Sequence, residues 1–240
     1  MKRLIRSILI LLSGFVLAQN QIRIEYEIQP DYDFEGTNPG MNIIAKKAFY
    51  ELIADREESQ YNYMEKVDNE QPKEMNTQTI IVEIGSPGIH YVNTKEKFFM
   101  KETEVGNKRY IIKDSLTVID WKIQNETKEV EGIQVRKATA SLKNNEITAW
   151  YAPKITYKSG PDKYWGLPGI ILELETVQGL QNGGKVVTTY KAVKIEILGK
   201  DKKMNQPNRG KIVTSAEIRE IHDEANKKMR EMYGDGVDKE

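Results

Sequence analysis

Apolar and polar residues alternate strictly over residues 21–28. Ile22, Ile24, Tyr26 and Ile28 fall on one side, Arg23, Glu25 and Glu27 on the other, a period of two that predicts a half-buried β-strand. Residues 30–40 are rich in Asp, Gly and Pro and read as a loop. The next segment fits two periods at once. Met41, Ile44, Ala45, Ala48 and Leu52 make a helical stripe, whereas Ala48, Tyr50, Leu52 and Ala54 make a strand face. Residues 66–78 are polar, contain Pro72 and show no periodicity, as an exposed loop would.

From Thr79 onward, short strand patterns follow one another between turn residues, at 79–84, 89–92, 97–101, 109–113, 116–123, 134–142, 148–151, 170–176 and 186–198. "GSPG" at 85–88 and "VGNK" at 105–108 are signals of the kind that close hairpins. In the final strand Val193, Ile195 and Ile197 share one face, while Val186, Tyr190 and Ala192 have the opposite parity. That phase switch predicts a β-bulge or a change of packing environment. The pattern is a meander of antiparallel strands rather than a βαβ alternation. It predicts a mainly β fold, a curved antiparallel sheet or unclosed β-barrel. Thr214-Ser215-Ala216-Glu217 then forms a capping box ahead of an apolar stripe at Ile218, Ile221, Ala225, Met229 and Met232, with Gly234 and Gly236 as stops. This C-terminal amphipathic helix is expected to pack on the sheet; docking on a partner is the alternative.

The segment "GPDKYWGLPGIILELE", residues 160–175, is the most pointed local feature. Leu167-Pro168-Gly169-Ile170 has the sequence of a type II turn, with Gly169 at the positive-φ place. Pro161 restricts Gly160 to extended geometry, so the loop is expected to be rigid with few hydrogen bonds of its own. Ile170-Ile171-Leu172 is apolar on both faces and Glu173 and Glu175 then alternate with Leu174. A strand doubly buried at its start fits a sheet covered at one end, with Tyr164, Trp165 and Leu167 as a lid. All three Trp residues (Trp121, Trp150, Trp165) fall in this part of the chain. Packing on the core edge explains such side chains. The ligand-contacting candidates are Trp150, Tyr151, Tyr164, Trp165 and Leu167, since apolar loops also border cavities.

Composition narrows the class. Residues 1–18 have a basic start (Lys2, Arg3, Arg6), an apolar run at 8–17 and small residues at Val16 and Ala18. These are the marks of a signal peptide cleaved after Ala18, leaving residues 19–240 as one β-rich domain, periplasmic or secreted. The whole chain balances 36 basic against 36 acidic residues, so loss of the leader leaves a slight negative excess. That balance argues against nucleic acid and against a polybasic membrane patch. No Cys is present, so neither a disulfide nor a thiol for lipid attachment exists. Nothing in the mature chain reads as a transmembrane span.

Catalytic signatures are absent. His90 and His222 are isolated and read as structural, and the surroundings of Ser86 lack a nucleophile elbow. No P-loop, dinucleotide fingerprint or zinc spacing occurs, so no cofactor or metal is expected. Asp31, Asp33 and Glu35 with Gly36 imitate half of a calcium loop, but Asn42 stands where a bidentate Glu is required. Glu173 and Glu175 share a face that meets water or a neighbouring Lys191 or Lys194.

The stretch Glu126–Glu175 resembles the GLPGLI family of exported Bacteroidetes proteins. The hexapeptide itself reads Gly166-Leu167-Pro168-Gly169-Ile170-Ile171, and Glu126-Thr127-Lys128, Lys137-Ala138, Ala149-Trp150-Tyr151 and Gly160-Pro161 match upstream features. Departures are Val135, where the family commonly has Cys, and Asn144-Asn145-Glu146, where it has a Gly-Arg turn. The resemblance implies an exported protein and no established activity. A second likeness, at fold level, is to LolA-like periplasmic lipoprotein carriers: "GLP", an apolar strand, "NGG" and a long strand ending "VKIEI". It implies an unclosed, curved barrel with a helix against its apolar side. Taken together, the expected function is non-enzymatic binding of a hydrophobic or peptidic ligand, or of an envelope partner. The alternatives are an accessory subunit of an outer-membrane assembly and a hydrolase with scattered acidic and Tyr residues.

Overall fold

The computed structural model describes residues 21–33, 42–66, 79–85, 87–180, 184–199 and 202–234. In chain order these form β1 (Gln21–Asp33), β2 (Asn42–Lys46), β3 (Ala48–Ala54), β4 (Glu58–Met64), β5 (Thr79–Glu83), β6 (Ile89–Asn93), β7 (Phe98–Val105) and β8 (Lys108–Ser115). They continue as β9 (Lys122–Val130), β10 (Ile133–Leu142), β11 (Asn145–Ala152), β12 (Ile170–Gly179), β13 (Lys185–Leu198), β14 (Lys211–Val213) and the helix α1 (Ser215–Gly234). The segment read as a signal peptide, nearly all of the loop read over 66–78, most of the calcium-like fragment and Ser86 lie outside the described residues.

Twelve strands make one unclosed sheet in the order β14-β8-β7-β6-β4-β3-β1-β13-β12-β11-β10-β9. Its neighbours are antiparallel except for β14, which runs parallel to β8. Strands β2 and β5 form a separate parallel pair. The two-period segment thus resolves to strands, and Ala48, Leu52 and Ala54 are buried as its strand reading requires.

Curvature follows from connectivity. β8 lies next to one margin of the sheet and β9 is the other margin, yet only residues 116–121 join them. Laid flat, the strand spacings between them would span ~48 Å; a linker of that length reaches at most ~25 Å. The sheet must curl to let the chain cross. This crossing is also where the strand predicted over 116–123 fails: residues 116–121 are irregular and β9 starts at Lys122. Ile119 from the crossing is nevertheless buried, in a cluster with Ile147, Tyr151, Tyr164 and Leu167.

Three bulges shape the curl. Glu25 pairs with Lys194 and Tyr26 with Ala192, so Val193 is the extra residue that produces the phase switch read in the sequence. A second interrupts β11–β12, where Trp150 opposes Glu173 and Tyr151 opposes Ile171; a third breaks β9–β10 near Arg136. β12 pairs with β13 only from Glu173, opposite Lys191, onward, so the Ile171 carbonyl lies beyond that ladder and accepts a hydrogen bond from the buried Tyr26 hydroxyl instead.

Other departures have local causes. β1 runs on through Pro30 to Asp33, because beyond Ile28 it has parted from β3 and proline's missing N–H is tolerated there. β4, unforeseen, is launched by an Asx turn in which Asp55 Oδ1 accepts the Glu57 and Glu58 amides at 2.8 Å each. "VGNK" closes the β7–β8 hairpin, with Gly106 at φ 61°, but "GSPG" separates strands of different sheets and closes none. Glu173 bonds Lys128 of β9 rather than Lys191 or Lys194; Lys194 pairs with Glu25 and Glu196.

The capping box of α1 is formed: the Glu217 amide donates to Thr214 Oγ1 (3.2 Å) and the Thr214 amide to Glu217 Oε2 (2.6 Å). Asp114 of β8 adds a second cap by accepting the Ser215 amide at 3.1 Å. Only the start of the stripe docks. Ile218 is 6% exposed against Tyr110 and Val213, whereas Met229 and Met232 are 55% and 74% exposed. The helix therefore packs on the sheet, as expected, but only through its first turns and over β7, β8 and β14.

Replacing Tyr26 by Phe leaves the Ile171 carbonyl buried without its partner. Urea unfolding is expected to show a loss of ~1–3 kcal/mol with an unchanged m-value.

Candidate ligand cavity

The connection between β11 and β12, residues 153–169, is bonded throughout rather than sparsely. The Tyr164 amide donates to Pro161 O (3.1 Å), Gly166 to Lys158 O (2.9 Å), Ile170 to Ile155 O (2.9 Å) and Ile171 to Ser159 O (3.1 Å). Two tryptophans lock it to the margin crossing: Trp121 Nε1 donates to Trp165 O (2.8 Å) and Trp165 Nε1 to Thr117 O (2.9 Å). The expected type II turn is absent. Positive φ falls on Gly166 (99°), not on Gly169. Gly169 is required for another reason, since a Cβ there would sit 2.2 Å from Ala152 O.

The five candidates of the sequence divide. Tyr151, Tyr164 and Leu167 are buried in the cluster around Ile171 and Leu174. Trp165 is half-buried in its bond to the crossing. Trp150 is half-buried, packed against the cluster that holds Tyr26 and Leu172, with Lys128 Nζ 4.4 Å from its ring centroid. What the loop does carry to the inner face is Asp162, the sole acid between its two Gly/Pro pairs, at φ 52° in the left-handed region. Few residues accept that conformation, and Asp is among them.

Asp162 borders a cavity of about 290 Å³ enclosed by β1, β3, β4, β6, β7 and β13. Its walls are aromatic and apolar: Ile28, Tyr50, Tyr61, Ile84 and Tyr190. Tyr50 and Tyr61 stack at 4.6 Å with 5° between planes, and Tyr190 is backed edge-on by Tyr164 at 6.1 Å. At the polar end His90 Nδ1 is 3.4 Å and Lys101 Nζ 3.9 Å from Asp162 Oδ1. A second hollow of about 790 Å³ begins on the other side of the same three residues and reaches Ser215 and Arg219.

Two buried polar atoms on this wall, Tyr61 Oη and His90 Nδ1, have no hydrogen-bond partner among the described residues. Their residues are 5% and 6% exposed. His90 is thus not the satisfied structural histidine expected, and its 3.4 Å contact with Asp162 is an ion-pair distance without hydrogen-bond alignment. His222 is exposed on α1. Burial pushes the Asp162 carboxyl up, but the adjacent His90 ring with Lys101 and Lys163 outweighs it and holds the acid well below the usual carboxylate range. Burial, with Asp162 adding to it, pushes the Tyr164 hydroxyl up to about 12 and raises those of Tyr61 and Tyr190 further. The cavity is therefore lined by neutral phenols and a fixed carboxylate. No cluster of three or more potential metal ligands occurs among the described residues.

The fold and this wall define a curled, unclosed β-sheet domain with a small tyrosine-walled cavity on its inner side. Residues 139–173 match the model of a family described as a protein of unknown function (Porph_ging). The match spans β11, the Trp-locked loop, Asp162 and the first strand turn of β12, and includes the 166–171 hexapeptide. No curated protein matches the chain. Among solved structures, PNGF-II in two crystal forms shares the fold at TM-scores of 0.55 and 0.54, with 16% identity and 86% of this chain covered. The chain spans about a third of the length of PNGF-II (33% and 34%). Weaker likenesses are to MucB in complex with MucA(peri) and to the LolA superfamily protein NE2245 from Nitrosomonas europaea. Their TM-scores are 0.37 and 0.28, identities 7% and 9%; 82% and 77% of this chain and 58% and 88% of theirs are covered.

Because the Asp162 acid is depressed, its stabilisation is present above the ordinary carboxylate range and is lost as pH falls through the lower folded value. The stability gap between the wild type and Asp162→Asn, measured by urea melts, is expected to be widest at neutral pH and to close as pH drops below about 4.

Proposed function

We propose that the chain is an exported, non-enzymatic β domain of the cell envelope, one unit over residues 19–240 after cleavage behind Ala18, which binds a hydrophobic or peptidic ligand in the tyrosine-walled cavity. The observation that carries this reading is the pairing of a preformed hollow with two buried polar atoms that lack partners among the described residues. A folded chain leaves such atoms unsatisfied only at a cost of ~1–3 kcal/mol each, and a bound ligand is one means of recovering it. The hollow is small, at the lower limit of ligand sites, so it accommodates a side chain or one end of a larger molecule. Tyr151, Tyr164 and Leu167 then serve as the rigid backing of the site, and Trp165 with Trp150 as its outer braces. Among the described residues no helix is long and apolar enough to cross a membrane, which accords with a role at the surface of, or between, membranes.

A second reading, an accessory subunit of an outer-membrane assembly, is favoured by the uncovered stripe at Met229 and Met232. Removal of residues 222–240 would abolish partner capture on that reading and leave ligand binding intact on the first.

Filling the hollow separates binding from folding. Thr188 lines the cavity, and Thr188→Phe is expected to fold. The wild type should gain several degrees in Tm with a saturating ligand from envelope extracts, as a ligand at 100 times its Kd adds ~2.7 kcal/mol. The variant should gain none. A wild type whose Tm is unmoved by any peptide or lipid fraction would remove the proposal.

A further inference from the structure

We propose that the polar end of this cavity recognises an alkylammonium group, the chemistry of a lysine side chain or a free aliphatic amine, with Asp162 as counter-ion and Tyr61 as a further acceptor. The inference rests on the cavity reading above and adds the charge and donor pattern of what enters.

Three features point the same way. The first is donor count. Asp162, Tyr61 and His90 converge on one wall: His90 Nδ1 is 3.4 Å from the carboxylate, and Tyr61 is the cross-strand register partner of His90. The carboxylate accepts only, and the Tyr61 hydroxyl can accept as well. An ammonium offers three donors and no acceptor, the complement of such a set. An alcohol brings a single donor, and a carboxylate brings none.

The second is the π surface. Tyr61 lies stacked with Tyr50, and Tyr190 stands on the same cavity. Ring faces attract cations when both are withdrawn from water, and burial keeps these phenols neutral. The third is charge. Among the described residues, Asp162 and Glu102 line the cavity against Lys101 alone. Lys101 is 46% exposed at its side chain and reaches the carboxylate only at 3.9 Å, so it is a loose partner that an incoming cation displaces toward water. Glu102 is engaged with the Ile89 amide at 3.1 Å, and Lys163 is turned to the Tyr164 ring, 5.7 Å from its centroid. An anionic ligand would meet both acids.

Asp162 is also held in place for the task. Its left-handed backbone is closed by the Tyr164–Pro161 bond, and the next turn is anchored by Trp121 and Trp165. A carboxylate presented on a fixed backbone binds a cation without first being ordered. A hollow of about 290 Å³ holds an extended five-carbon chain behind the ammonium.

The test is calorimetric titration of the purified protein with n-pentylammonium, n-pentanol and pentanoate, followed by Nα-acetyl-lysine amide. Pentylammonium is expected to bind at least tenfold more tightly than the alcohol or the acid, and Asp162→Asn, which keeps a residue tolerant of positive φ, to lose at least tenfold. Tyr61→Phe retains the stacking and removes only the unpartnered hydroxyl. It should leave Tm unchanged or raised while weakening pentylammonium several-fold. Acetyl-lysine amide binding as tightly as pentylammonium assigns the group to a peptide; its exclusion while pentylammonium binds assigns it to a free amine. Pentanol or pentanoate binding as tightly as pentylammonium, or full affinity in both variants, overturns the ammonium assignment while the cavity reading stands. Binding of none of the probes, with a crystal structure showing ordered water on Tyr61 and His90, overturns both.

Discussion

Residues 116–121 tie β8, next to one margin of the twelve-stranded sheet, to β9 at the other, and most else in the molecule follows from that short tether. A sheet free to lie open would place β6 and the β11–β12 loop far apart, with five strands between β6 and β11 in the order. Curled by the tether and eased by its bulges, it brings His90 and Asp162 to 3.4 Å. The cavity is thus a product of topology. No single strand encodes it.

The tether and the 153–169 loop support one another. Each supplies a tryptophan whose indole donates to the backbone of the partner segment, and each contributes apolar residues to the cluster around Tyr151 and Ile171. Reciprocal bonds of this kind fix distance and orientation together, which is what positions Asp162. The close approach of Gly169 to Ala152 belongs to the same arrangement. It turns the chain into β12 so tightly that no side chain fits.

Much of the fold was legible because one-sided burial imposes a period of two. β1, β10, β12 and β13 were visible in this way, and even the Val193 bulge showed as a change of parity. The strands that escaped notice lack that signature. β9 is a largely exposed margin, so nothing forces its residues to alternate, and β14 is three residues long. The site was less legible. Pattern drew attention to the aromatics of the 160–169 loop, whose large side chains turn out to be backing, while the residue at the cavity is a lone aspartate flanked by proline and lysine. Tyr50 sat on a recognisable strand face and Tyr61 on a strand that was not foreseen, and only the curl shows that both meet Tyr190 and His90 across the hollow. Local periodicity reports which side of a strand is inward; it carries no information on which distant strand lies opposite.

The three-residue strand β14 has a consequence for how the molecule is made. It covers Tyr110, Ile111 and Ile112 on the free flank of β8, and the backbone at Gly210 comes so near Arg109 that a Cβ would lie 2.9 Å from its carbonyl oxygen. These residues follow every other strand of the sheet in the chain. Until they emerge, the nascent sheet exposes an unsealed seam on β8, a natural grip for a holding chaperone.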